Sequence, residues 1–266
     1  MKGRVVIVAG SDSGGGAGIQ ADIKTVTALG GFAATAVTAL TAQNTRGIAA
    51  IMAVPAEFVR RQLDAVLSDI GADCIKTGML ASAATVNAVA DAIAALAPGV
   101  PLVVDPVLVA SSGKRLLDED AVHVLKRHLV PMARVLTPNI PEAETLTGLK
   151  IADRDGMRRA GEMLVREGAK TVMVKGGHLP GTTVCDIVVE AGGSYALESP
   201  RIETRHTHGT GCTLASGIAT GLAQGMTTRA AIERARKFLL AALATAPGYG
   251  QGRGPLNHAH TVREER

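Results

Sequence analysis

The sequence has no tryptophan, and only 2% of its 266 residues are aromatic. A surface that stacks nucleic-acid bases on aromatic side chains is therefore disfavoured. Because 47% of the residues are apolar, the core must be built from aliphatic side chains. The length suits one large α/β domain or two small ones. We find no linker, internal repeat or low-complexity tract, so we expect a single domain over residues 1–266.

Cysteine is scarce, and long runs of one charge are missing. Cys74, Cys185 and Cys212 form no C-x-x-C pair. An odd count without a disulfide pattern is typical of a reducing compartment, so we expect a cytoplasmic protein. The formal net charge of +4 is spread over isolated residues and short pairs. This balance supports a nucleic-acid partner only weakly, and it suits an anionic small-molecule substrate equally well.

No apolar run is well suited to a membrane. The stretch from Val5 to Ala9, which follows two early basic residues, is too short for the apolar core of a signal peptide. The uncharged window from Thr25 to Thr45 approaches spanning length, but a glycine pair and several polar residues interrupt it. A helix, a turn and a strand explain this window better, so we expect no membrane partner.

Strand and helix patterns alternate over most of the chain. Helical periods occupy residues 19–29, 55–70, 82–96, 121–129, 155–167, 213–223 and 228–246. Short apolar runs at 5–9, 32–39, 48–54, 74–77, 101–105, 134–137 and 171–174 predict strands, and 184–197 predicts a hairpin. This alternation predicts an α/β fold with a doubly wound, mostly parallel sheet and helices on both faces. Ligands of such sheets bind beyond the carboxyl ends of the strands.

A glycine-rich stretch late in the chain predicts an anion site. Gly209, Thr210 and Gly211 precede Cys212 and an Ala/Gly/Leu/Ile run long enough for several helical turns. The first amides of such a helix lack intrahelical partners and lie at the positive end of its dipole. A phosphate or a phosphoryl transition state fits there, with Cys212 beside the acceptor hydroxyl. A plain turn with Cys212 as a small apolar filler explains the same pattern.

The first glycine-rich loop, Gly10 to Gly18, follows a strand and precedes a helix. It matches part of the dinucleotide fingerprint, but no acidic residue occurs between Asp22 and Glu57 to bind a ribose. No Walker motif is present either. We interpret the loop as backbone that closes over a substrate, with a flexible turn as the alternative.

Two further strand ends carry polar side chains. Asn139 and Glu142 supply hard oxygen donors that can hold Mg²⁺, although a capping asparagine with a first-turn acid is the ordinary explanation. Lys175 precedes a glycine pair and can reach a nucleotide phosphate, or it is a solvated surface lysine. The three histidines between residues 178 and 208 lack the spacing of a zinc site.

Several runs in a fixed order carry a resemblance to known enzymes. They are GSDSGGGAGIQADIKT (10–25), TALTAQNT (38–45), IKTGML (75–80), VDPVLVASSG (104–113), TPNIPEAE (137–144), VKGGH (174–178), THGTGCTLAS (207–216) and GRGPLNH (252–258). Together they resemble the ribokinase-like kinases, and within them the hydroxymethylpyrimidine/phosphomethylpyrimidine kinases of thiamine biosynthesis. The resemblance covers essentially the whole chain. It departs at Gly14, where the family usually carries serine, and at Gln251, in a stretch that is often rich in histidine.

The resemblance implies two ATP-dependent steps at one site. The hydroxyl of 4-amino-5-hydroxymethyl-2-methylpyrimidine is phosphorylated, and the monophosphate is then converted to the diphosphate. Gln43 would bind the pyrimidine edge, Asp22 the exocyclic amine or a ring donor, and Gly10 and Met79 would line the ring pocket. The implied nucleotide-binding residues are Lys175, Asn139 and Thr210; the implied Mg²⁺ residues are Glu142, Asn139 and Asp105; the implied catalytic residues are Cys212, Gly209 and Gly211.

Most of the superfamily carries an aspartate base at the position of Cys212, and cysteine is typical of the pyrimidine-kinase branch. We expect the helix N-terminus to lower the pKa of this thiol. The sequence leaves open whether Cys212 removes a proton or only orients the hydroxyl. It also leaves a pyridoxal-type kinase and a non-catalytic binding module as alternatives. The resemblance further implies a homodimer, and residues 110–114 are a candidate lid.

Overall fold

The computed structural model describes residues 1–108 and 119–262, and nine strands of this part form one mixed sheet. The strands are β1 (Arg4–Asp12), β2 (Phe32–Asn44), β3 (Gly47–Ala53), β4 (Cys74–Thr77), β5 (Leu102–Val104), β6 (Val135–Leu136), β7 (Thr171–Val174), β8 (Thr183–Glu190) and β9 (Gly193–Pro200). Their order is β3-β2-β1-β4-β5-β6-β7-β8-β9. The six central strands β2, β1, β4, β5, β6 and β7 run parallel. The antiparallel pairs lie at the two edges, where β3 pairs with β2, β8 with β7 and β9 with β8.

Helices cover both faces of this sheet. They are α1 (Gly18–Ala28), α2 (Ala56–Asp69), α3 (Ala83–Leu96), α4 (Glu119–His128), α5 (Ile140–Thr147), α6 (Arg154–Arg166), α7 (Thr210–Ala223) and α8 (Thr228–Ala244). Helices α1, α7 and α8 pack together on one face, and α2 to α6 cover the other. The predicted doubly wound, mostly parallel architecture is confirmed.

The sequence of β1 explains why both faces are covered. Val5 and Ile7 belong to the hydrophobic cluster under α7 and α8, whereas Val6 and Val8 belong to the cluster under α2 to α6. All four side chains are fully buried. A strand buried on both faces needs an unbroken apolar run instead of an alternating one, and this is the pattern from which β1 was predicted.

Two element bounds differ from the predictions in ways that matter for the site. Strand β2 continues to Asn44, five residues past the predicted end, because it pairs antiparallel with β3 through Gln43 and Asn44. Helix α7 begins at Thr210, three residues earlier than predicted, because Gly209 adopts a φ of 88° and acts as its N-cap. The predicted β8–β9 hairpin is confirmed. The candidate lid at residues 110–114 lies outside the described residues.

Candidate active site

A cavity of about 720 Å³ lies at the carboxyl ends of the parallel strands. Every predicted site residue except Asp22 lines it: Gly10, Gln43, Met79, Asp105, Asn139, Glu142, Lys175, Gly209, Thr210, Gly211 and Cys212. These residues come from seven strand or helix ends, so the parallel sheet alone brings them to one edge.

Gly10 and Met79 lie side by side at one end of this cavity. A Cβ atom at Gly10 would lie 3.2 Å from the Met79 Sδ atom. The Met79 side chain therefore packs directly against the end of β1, where glycine leaves room for it. Gln43, on β2, borders the same end of the cavity.

The N-termini of α1 and α7 meet at Cys212. Gly209 caps α7, and a Cβ atom there would collide with the carbonyl oxygen of Gly16, in the loop that leads into α1. The Gly18 amide, at the start of α1, faces the Cys212 thiol and acts to lower its pKa. First-turn amides of both helices lack intrahelical acceptors. The junction is thus a positively polarised pocket of the kind that binds phosphate.

Asp105 and Lys175 stand beside this junction. Lys175 Nζ lies 2.9 Å from Asp105 Oδ1 and 4.0 Å from Glu142 Oε2. A Cβ atom at Gly211 would lie 3.2 Å from both Asp105 Oδ2 and Lys175 Nζ, so glycine lets the helix start approach this pair. Thr137 donates a further hydrogen bond of 3.0 Å to Asp105 Oδ1.

Asn139 and Glu142 form a capping box at the start of α5. Asn139 Oδ1 accepts from the Glu142 amide at 2.9 Å, and Glu142 Oε2 accepts from the Asn139 amide at 2.7 Å. The ordinary structural explanation of this pair is therefore correct, and both side chains also face the cavity. Burial raises the pKa of Glu142 to about 7, with Asp105 adding to the rise and Lys175 opposing it.

The structure corrects the placement of Asp22. Its carboxylate is fully buried between α1, β4 and α7, and both oxygens lie 2.8 Å from Lys76 Nζ. Ser216 donates a third hydrogen bond of 2.7 Å. With these partners and no exposed surface, Asp22 does not contact a substrate in the cavity. It instead holds a lysine ammonium beneath the start of α7.

The expected pKa of Cys212 also needs correction. Burial raises the pKa of this thiol to about 12, and the Asp22 and Asp105 carboxylates add to the rise. Lys76 and the Gly18 amide oppose it without reversing it. The thiol form of Cys212 is consequently favoured at neutral pH, whereas we expected the helix N-terminus to lower its pKa.

Sequence analysis assigned no role to three residues of this region: Lys76, Asp12 and His208. The signal for Lys76 was a lysine inside an otherwise buried strand, which requires an acidic partner. Asp12 accepts hydrogen bonds from the amides of Gly14, Gly16 and Ala17 at 2.8 to 3.0 Å, so it organises the first loop. Nothing in the local sequence pairs Asp12 with His208, which is 196 residues away.

Among residues 1–108 and 119–262, no group of three His, Cys, Asp or Glu side chains is placed to hold a metal ion, and no helix is long and apolar enough to cross a membrane. Fold and site together define a ribokinase-like kinase, a class that uses ATP as its phosphoryl donor. The profile of the phosphomethylpyrimidine kinase family matches residues 12–257. The chain belongs to this family.

Individual proteins agree with that assignment. The thiamine biosynthesis bifunctional protein ThiED of Geobacter sulfurreducens is 52% identical over 265 residues, which is 100% of this chain and 54% of that protein. The hydroxymethylpyrimidine/phosphomethylpyrimidine kinase of Rhizobium meliloti is 49% identical and covers 95% of this chain and 96% of its own length. The chain therefore spans about half of the bifunctional relative and nearly all of the other.

A solved structure is similar throughout. The pyridoxal kinase from Staphylococcus aureus in complex with AMP-PCP and pyridoxal superposes with a TM-score of 0.91 at 30% identity, covering 100% of this chain and 96% of that one. The family, the fold class and the kinase activity predicted from the sequence motifs are confirmed.

Proposed function

We propose that the protein transfers the terminal phosphoryl group of ATP to the hydroxyl of 4-amino-5-hydroxymethyl-2-methylpyrimidine, and then a second group to the monophosphate, in thiamine biosynthesis. The names of its relatives support this reaction. The observation that carries it is the convergence of Gly10, Met79, Gln43 and Cys212 on one cavity. A flat ring against Met79 would have a hydrogen-bonding amide at its edge and a phosphate-binding helix start in the same cavity.

Ring recognition is assigned to Gln43. Its carboxamide combines one acceptor with two donors, which complement an exocyclic amine and the adjacent ring nitrogen. Met79 supplies a polarisable wall for an aromatic ring. Gly10 leaves the room that the Met79 side chain occupies. A pyridine alcohol without the amine would leave part of the Gln43 amide unpaired.

Phosphoryl transfer is assigned to the junction of α1 and α7. The hydroxyl oxygen bonds to the terminal phosphorus of ATP, the bond to the bridging oxygen breaks, ADP leaves, and the hydroxyl proton passes to an oxygen of the transferred phosphoryl group or to water. Amides of Gly209 to Cys212 face the charge that develops on the transferred group, and Lys175 and Thr210 contact nucleotide phosphates. Cys212 donates or accepts a hydrogen bond that orients the hydroxyl. A loose transition state does not require it to be a strong base.

Mg²⁺ fits the donor set on one side of the cavity. Asp105 and Glu142 are buried carboxylates that face the cavity, and hard oxygen donors are the ligands Mg²⁺ prefers. Asn139 Oδ1 already accepts from the Glu142 amide, so this side chain would act through water. Bound to the nucleotide, the ion would neutralise phosphate charge.

The test is an ADP-release assay with purified protein, Mg²⁺ and ATP, in which products are resolved by mass. We expect both mono- and diphosphorylated pyrimidine. Monophosphate alone would remove the second step from the proposal. In Cys212→Ala we expect turnover to fall while pyrimidine binding, measured by calorimetry, persists. A folded wild-type protein that released no ADP would favour the binding-module alternative.

A pyridoxal-type kinase is the second candidate, because the superposition with the Staphylococcus aureus pyridoxal kinase covers the whole chain. The same assay with pyridoxal decides between the two. Turnover of pyridoxal without turnover of the aminopyrimidine would establish the second candidate. The homodimer and the cytoplasmic location stay predictions, and sedimentation of the purified protein tests the first.

A further inference from the structure

His208 joins three elements on the substrate side of the cavity. Its Nε2 atom lies 2.8 Å from Asp12 Oδ2, at the end of β1, and 3.1 Å from the Gln43 carboxamide on β2. Its own backbone precedes Gly209, the N-cap of α7. The side chain is 12% exposed and that of Asp12 is 4% exposed. One imidazole therefore connects the first loop, the ring-binding amide and the phosphate-binding helix.

The imidazole is held on its other sides as well. A Cβ atom at Gly16 would lie 2.7 Å from His208 Cδ2 and 3.2 Å from Pro255 Cβ, so the ring packs against the first loop next to the C-terminal segment. The His208 amide donates to the Gly254 carbonyl at 3.2 Å. The ring thus has a fixed position from which to act on its neighbours.

Hydrogen bonding around Gln43 defines the direction of its carboxamide. Its Oε1 atom lies 3.2 Å from Thr41 Oγ1 and its Nε2 atom 3.1 Å from His208 Nε2. The Thr41 hydroxyl also lies 3.0 Å from the Ser11 carbonyl, which only accepts, so its proton is drawn to Ser11. Thr41 therefore offers Gln43 a lone pair, which suits a carboxamide turned by 180° about its last bond, with its nitrogen towards Thr41.

His208, on the other side of the Gln43 carboxamide, favours the same orientation. Burial opposes a charge on Asp12, but hydrogen bonds from His208 and the loop amides outweigh it and lower the pKa of the carboxyl group. A carboxylate needs a donor, so the proton of His208 Nε2 points to Asp12. That N–H can share with an acceptor but cannot accept, so it too suits the turned carboxamide, with its oxygen towards His208. The partners on both sides of Gln43 therefore favour the turned orientation.

We propose that His208, held by Asp12, is a positioning residue that orients the Gln43 carboxamide and so determines specificity for an aminopyrimidine over ring alcohols without the amine. This inference rests on the proposed function. In the turned orientation Gln43 keeps one N–H and one lone pair, in a set order, for the amine and the adjacent ring nitrogen of an aminopyrimidine.

The experiment compares the aminopyrimidine alcohol with 5-hydroxymethyl-2-methylpyrimidine, which lacks the amine. The ratio of their kcat/KM values measures discrimination. We expect a ratio of roughly 100 in the wild type, since the missing amine leaves a polar group unpaired. His208→Ala should reduce the ratio to below about 10, and His208→Gln, which restores an amide donor, should recover part of it. For variants that turn over slowly, calorimetric Kd values measure the part of this discrimination that arises in ground-state binding.

A double-mutant cycle shows whether His208 acts through Gln43. In a Gln43→Ala background, His208→Ala should change the ratio less than twofold. The matched control is His178→Ala, a histidine elsewhere on the same cavity wall, which should leave the ratio unchanged. Equal losses for both alcohols in His208→Ala, additive effects in the cycle, or a wild type that turns over both alcohols equally would overturn the inference. A wild type with no turnover of either would contradict the proposed function itself.

Discussion

Two lysine–aspartate pairs lie on either side of the start of α7, and they differ in their access to solvent. Lys76 and Asp22 are 2.8 Å apart with both side chains 0% exposed, whereas Lys175 and Asp105 are 2.9 Å apart with side chains 16% and 3% exposed. Each lysine lies at the carboxyl end of a parallel strand. Their chemistry is the same, and only the second pair lines the cavity.

The difference separates a lysine that stabilises the fold from a lysine that can bind a ligand. Burial alone would lower the pKa of Lys76, but the Asp22 carboxylate facing it outweighs burial and raises that pKa, so the ammonium persists. The Lys76–Asp22 pair, the closed pair, is inaccessible to ligand and holds α1, β4 and α7 together beneath the anion-binding amides. The Lys175–Asp105 pair is the open pair, because Lys175 faces the cavity and can exchange part of its bond to Asp105 for a bond to a phosphate oxygen.

Breaking the closed pair should have the largest effect. Lys76→Met leaves the Asp22 carboxylate buried without its cation, and such a loss costs about 3–5 kcal/mol. Urea unfolding monitored by circular dichroism measures it. The matched control, Lys76→Met with Asp22→Asn, removes both charges and should recover most of the stability. A single variant within 1 kcal/mol of the wild type would show that the pair does not stabilise the fold.

This closed pair also marks the limit of prediction from sequence. The sheet follows from β-branched runs such as Val5 to Val8, and the cavity follows from where parallel strands end. Lys76 and Asp22 are 54 residues apart, and no local pattern pairs a strand lysine with a helix aspartate. Elements that are distant in sequence bury both Asp22 and Cys212, and the local sequence does not show this burial. It therefore misled the assignment of Asp22 to substrate and the expected lowering of the Cys212 pKa.

Glu142, which lies 4.0 Å from Lys175 of the open pair, should make the stability of the protein depend on pH. The folded-state pKa of Glu142, about 7, lies above its ordinary value of 4.5. The folded state therefore binds a proton more tightly, and the associated stability is present below pH 4.5 and lost as pH rises towards 7. Relative to Glu142→Gln, the wild type should lose on the order of 3 kcal/mol between pH 4 and 8. Urea titrations at several pH values measure this difference, and a constant difference would contradict the raised pKa.

Removing the open lysine should affect catalysis more than folding. Lys175→Met is expected to lower kcat/KM roughly 100-fold, equivalent to about 2.7 kcal/mol, because a cation is lost from the transition state. Stability should fall less than in Lys76→Met, since Asp105 keeps its bond to Thr137 and contact with water in the cavity. Lys150→Met, at a lysine whose side chain is 93% exposed, is the matched control and should leave kcat/KM unchanged. The reverse ranking of the two buried lysines would mean that their roles are exchanged.

An exposed pair completes the comparison with the smallest expected effect. Arg60 and Asp64 form an i,i+4 ion pair on α2 at 2.7 Å, with side chains 35% and 46% exposed. The distance matches that of the two buried pairs, but water and salt screen the charges. Asp64→Ala should cost only about 0.3–0.5 kcal/mol in urea unfolding, and less in high salt. A cost near that of Lys76→Met would mean that distance, and not burial, sets the energy of these pairs, and the contrast between the closed and open lysines would lose its physical basis.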